Sequence, residues 1–135
     1  MKRSGEHVVA VVIAFFAFAA CASNAHHDWR IEITTEGGIS GRGLGNAVIT
    51  PESVAHCDHA ALDRALREAK PKSWKREYRE PANPHGNADQ VLTTMTLTAG
   101  GESHTTSWYT GARELVPRDA IALFDAAWAL RSCGR

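Results

Sequence analysis

Four places in the chain gather side chains or backbone that could do chemistry. His26-His27-Asp28 and His56-Cys57-Asp58-His59 offer metal ligands, and Ser103-His104, with Ser107 beyond, offers a hydroxyl and a base. The run TEGGISGRGLGN at 35–46 sets five glycines in a dozen positions. Imidazoles beside a free amine, which cleavage after Ala25 would create, hold Cu(II) or Zn(II). His56 and His59 share a face if the chain there is helical, but a zinc site needs three or four converging ligands. That cluster therefore reads as the solvated start of a helix. Ser103 and His104 are neighbours, and on a strand neighbours point to opposite faces.

No GxSxG elbow, HExxH motif or pair of carboxylates in an apolar run occurs, so the residues describe no enzyme and call for no metal or cofactor. The glycine run is not a nucleotide motif either. Gly41-Arg42-Gly43-Leu44-Gly45-Asn46 lacks the last glycine of GxGxxG, and nothing like GxxxxGK[ST] is present. Two readings of the run stay open: a wide or bulged hairpin that needs positive φ at several glycines, or a loop that lays bare backbone against a partner.

The elements that must position these residues follow from periodicity. Arg30 to Thr34 alternates polar with apolar, and Ala47 to Thr50 is a second short β-prone run, so the glycine segment joins a hairpin-like pair that Pro51 ends. Leu62, Ala65, Leu66 and Ala69 recur at helical spacing, which predicts a helix over 59–70 with Asp58 as N-cap and Pro71 as its stop. Residues 71–90 carry three prolines and read as a long irregular connection, pinned by Trp74 and Tyr78. Val91 to Thr98, Gly100-Gly101 and Ser103 to Tyr109 make the clearest hairpin. Val116-Pro117 opens a last helix with Asp119 in its first turn and Ile121, Phe124, Ala127 and Trp128 as its stripe, ended by Gly134. The fold class is α+β: a small, mainly antiparallel sheet of about four strands with two helices on one face.

The N-terminus sets the compartment. Met1-Lys2-Arg3 precedes an apolar run from Val8 to Ala20 and then small residues, which is a secretory signal too short to span a bilayer. Phe18-Ala19-Ala20-Cys21 resembles a lipobox that would acylate Cys21, while cleavage after Ala22 or Ala25 fits ordinary export. Residues 1–25 are thus a signal peptide or lipoprotein signal, cut near 20–25, and 26–135 form one domain of an exported, periplasmic or secreted protein, anchored through Cys21 in the first case. Cys57 and Cys133 remain as an even pair in an oxidising compartment and are read as a disulfide. Such a bridge joins the start of the first helix to the end of the last and favours an antiparallel helix pair. Loss of the leader removes Lys2, Arg3 and Glu6 from 15 basic and 15 acidic residues, leaving 13 against 14. With no basic field, nucleic acid is excluded as a partner. Nothing in the pattern asks for a second copy, and a monomer is expected.

The order of parts resembles one family. A strand running into Gly37-Gly38-Ile39-Ser40-Gly41, a second strand, a helix, a loop, an Asp89-initiated strand with Met95 and Leu97 alternating, a Gly-Gly turn, a strand and a Leu/Phe-rich final helix are similar to emfourin, the small inhibitor of the thermolysin-like zinc metallopeptidase protealysin. The likeness spans residues 30–131 and its sharp motif is Gly-Gly-x-x-Gly. Ile39 and Thr93 stand where the family prefers a bulky aromatic and a tyrosine, and this chain adds a leader and a cysteine pair.

The resemblance implies a metallopeptidase inhibitor in which Gly37, Gly38, Ile39, Ser40, Gly41 and Arg42 contact the protease. Ile39 should then be exposed on an ordered loop. The alternative is an envelope protein of the same fold with a non-inhibitory role, ligand-binding or scaffolding, and a glycine run that serves only the fold would bury Ile39 in the sheet.

Overall fold

The computed structural model describes residues 28–83 and 89–133. Residues 1–25, read above as a signal, with Cys21 among them, as well as His26-His27 and Gly134, lie outside the described residues. Five strands form one sheet: β1 (Trp29–Gly37), β2 (Ala47–Ile49), β3 (Glu77–Tyr78), β4 (Val91–Ala99) and β5 (Glu102–Tyr109). Their order is β2-β1-β4-β5-β3, antiparallel except for β3 beside β5. The α+β architecture thus matches the sequence reading, with one strand more. That strand is two residues long and lies inside the stretch read as irregular, too short for an alternation to show.

β1 does pair with β2, over three residues, but its main partner is β4, which it matches from Trp29↔Ala99 to Gly37↔Val91. Alternation sends Ile31, Ile33, Met95, Leu97 and Trp108 to one face, where they are buried, and leaves Glu32, Thr34, Thr94 and Thr96 on the other. The outer face is threaded by hydroxyl pairs across β4 and β5, Thr96 to Thr105 at 2.9 Å and Thr98 to Ser103 at 2.8 Å.

Helices α1 (Pro51–Val54), α2 (Ala60–Glu68) and α3 (Arg118–Ala129) lie against the buried face. The short α1 was not foreseen. Its capping box makes it possible, for Ser53 donates its amide to Thr50 Oγ1 and accepts the Thr50 amide at its own Oγ. α2 starts one residue later than expected, with His59 at the N-cap position, while Asp58 Oδ1 still accepts the Ala60 amide at 3.2 Å.

Leu62, Ala65, Ala120, Leu123 and Ala127 are buried between the helices and the sheet, and Phe124 meets Trp108 edge to face at 5.3 Å. α2 and α3 run antiparallel. Cys57 before α2 is bonded to Cys133 after α3, with Cα atoms 6.4 Å apart, and at the other end Asp119 of α3 accepts the Lys70 amide at 2.8 Å.

The connection after α2 is held more firmly than its composition suggests. Trp74 donates its indole N–H to Asp119 Oδ2 at 2.9 Å, the Tyr78 hydroxyl accepts the Lys75 amide, and buried Thr106 donates to the Lys75 carbonyl. The two aromatics do pin this segment, and in doing so they lay β3 along β5.

Candidate functional site

At the end of β1 the chain leaves the sheet as a loop, residues 38–46, and returns in β2. Its geometry is set from the backbone. Gly41 donates to the Gly38 carbonyl at 2.9 Å, closing a turn with Ile39 and Ser40 at its tip, and Gly43 donates to the Gly37 carbonyl at 2.8 Å. Gly38 is tied sideways to the Gln90 carbonyl at 3.0 Å.

Two glycines are required by space as well as by φ. Gly37, at φ +87°, would place a Cβ 2.8 Å from the Gln90 carbonyl oxygen, and a Cβ on Gly43, at φ +66°, would collide with the Thr35 carbonyl. The run of glycines is therefore a folded ribbon rather than slack chain.

The hub of the loop is Thr35, which the sequence reading passed over. Its side chain is on the buried face, where the alternation Ile31, Ile33 calls for a third aliphatic residue. Its hydroxyl accepts the Leu44 amide at 2.7 Å and donates to the Gly45 carbonyl at 2.5 Å, and its own amide is taken by Asn46 Oδ1 at 3.2 Å. A polar residue at an inward position just before a glycine run was the available signal, since a buried hydroxyl must find partners.

The six residues expected to meet a partner are brought together. Gly37 and Gly38 form the base, Ile39, Ser40 and Gly41 the tip, and Arg42 bridges back beside Gly37. Ile39 is 96 % exposed, an aliphatic side chain standing free on hydrogen-bonded backbone. Arg42 has no carboxylate partner among the described residues, and its amide is received by Ser40 Oγ at 3.3 Å. The loop carries neither an acid–base pair nor a set of metal donors. What it can do chemically is bind.

The two other clusters among the described residues do not assemble. Cys57 is taken by the disulfide, and His59 Nδ1 faces Asp63 Oδ2 at 2.9 Å. No group of three or more His, Cys, Asp or Glu placed to hold a metal occurs among the described residues. His104 stands on the inner side of β5, beside Glu102, while Ser103 and Ser107 point outward. No described helix is long and apolar enough to cross a membrane. Comparison with family models, curated proteins and solved structures finds no match to this chain.

Proposed function

We propose that this is an exported protein-binding domain that inhibits a thermolysin-like zinc metallopeptidase, with residues 37–42 as the contact. The observation that carries the reading is Ile39, 96 % exposed at the tip of a loop tied to the sheet by backbone and by Thr35. A peptidase of this class takes extended chain with an apolar side chain into a cleft beside its zinc. A pre-folded ribbon loses little conformational freedom on entering such a cleft, and its turn between Gly38 and Gly41 keeps it out of the extended form that cleavage needs. Ile39 then acts as the anchor residue, and the emfourin-like order of elements agrees with the same role.

The test is inhibition of several thermolysin-like peptidases by the chain expressed with its own leader and purified oxidised, with Ile39→Asp and Gly38→Val beside it. Loss of the anchor should weaken inhibition by about thirtyfold or more. Gly38→Val forces a branched side chain to φ +75° against Val91 and should do the same by bending the ribbon. No inhibition by a folded protein would leave the non-inhibitory envelope role.

A further inference from the structure

The helical layer covers the inner face of the sheet unevenly. Phe124 of α3 rests on Trp108, which register places opposite Thr93, in the half of the sheet nearer the glycine loop. Toward the β4–β5 turn the inner face is only partly roofed. There Trp29, Leu97 and Ala99 of the sheet, Val54 of α1, Leu66 of α2 and Pro71 line a groove. Two cavities of about 680 and 400 Å³ lie side by side here, with Leu97, Ala99 and Pro71 lining both.

The rim is charged in a particular way. Its two carboxylates already have cationic or imidazole neighbours: Asp63 has His59 at 2.9 Å, and Glu102 has His104 at 3.6 Å and Lys72 at 3.8 Å. The side chains of Arg67 and Lys70, also on the rim, have no carboxylate partner among the described residues. The surplus is positive.

We propose that this groove binds a single-chain fatty-acid anion, its acyl chain along Trp29, Leu97 and Ala99 and its carboxylate at Arg67 and Lys70. The volumes fall in the range of small-molecule sites, roughly 300–1,000 Å³, and the apolar residues that line both cavities suit an acyl chain. An apolar peptide fits less well for a definite reason. The groove floor is the inner face of β1, β4 and β5, built of side chains, whereas free strand backbone lies only along the sheet edges, formed by β2, β3 and the parts of β1 and β5 that they do not reach. A peptide laid there would find no free strand to satisfy its backbone N–H and C=O groups, and an acyl chain has none to satisfy. The proposal is independent of what the glycine loop binds.

The experiment is calorimetric titration of the full chain, expressed with its own leader and purified as the cell delivers it, with dodecanoate kept below micelle formation. Dodecyltrimethylammonium and a leucine-rich hexapeptide are the comparison ligands. Ala99→Trp fills the groove from an exposed position, and a double variant, Arg67→Glu with Lys70→Glu, reverses the rim. We expect saturable one-to-one binding of dodecanoate, weakened about tenfold or more by each variant in protein that is folded at the titration temperature, with the cationic amphiphile at least about tenfold weaker. Absence of saturable binding, indifference to either variant, or preference for the cation or the peptide would overturn it.

Discussion

The chain between Gly38 and Asn46 is held mainly by main-chain bonds and the buried Thr35 hydroxyl, whereas the helical layer on the inner face of the sheet is held by side-chain packing, one disulfide and the Asp119 carboxylate. Both regions display apolar surface, one as the projecting side chains of Ile39 and Leu44 and the other as a recessed strip from Trp29 to Ala99. The difference teaches how each can be used. Backbone bonding needs no side chains and so frees Ile39 to point outward, while packing consumes side chains and leaves apolar surface only where the packing stops.

The largest effect is expected at the disulfide. Replacing Cys57 and Cys133 by serine opens a loop of sequence separation 76 and should lower unfolding free energy by about 4 kcal/mol, read by chemical denaturation. Amide exchange should rise first in α2 and α3, while the Leu44 amide stays protected until global unfolding; early exposure of Leu44 would mean the two regions are one unit.

Thr35→Val acts at the other region. It removes the hydroxyl that serves both Leu44 and Gly45 and should cost about 2 kcal/mol. Inhibition should fall with it, and binding in the groove should not change.

A smaller effect is expected at Asp119. Burial pushes its carboxyl up, but the bonds from the Lys70 amide, the Trp74 indole and its own and the Ala120 amides outweigh that and hold it below the ordinary 3.8. A depressed folded value means that its stabilisation is complete above pH 3.8 and is lost as the pH falls through the folded value. Asp119→Ala should therefore cost about 1 kcal/mol at neutral pH. That deficit against the wild type should shrink in acid, which denaturation at a series of pH values would show.

Ile39→Asp should change stability least, by less than about 0.5 kcal/mol, because the side chain touches little of its own molecule. A larger loss by the same denaturation measurement would mean that Ile39 supports the loop instead of projecting from it.

Much of this was legible from local pattern. The alternation of Val91 to Thr98, the Gly100-Gly101 turn and the 3.6-residue stripes of α2 and α3 are near-neighbour signals, and each element formed there, though α2 ends at Glu68 and α3 at Ala129, short of the expected Lys70 and Gly134. The pairing of Cys57 with Cys133, and with it the antiparallel helices, followed from counting cysteines. The glycines singled out residues 35–46 and the resemblance narrowed the contact to 37–42, and the bonds that hold them lie mostly within reach along the chain.

What only tertiary structure decided depends on partners distant in sequence. β3 exists because Trp74 finds Asp119 and Thr106 finds Lys75, contacts across separations of 45 and 31 residues that no window contains. β1 takes β4 as its main neighbour, and Thr35 turns from a misfit in an apolar alternation into the hub of the loop only when Leu44 and Gly45 fold back upon it. The groove was invisible for a related reason. Local sequence sets which face of each element is apolar, but the uncovered remainder depends on where two layers happen to stop overlapping, and that is fixed by the packing of the whole.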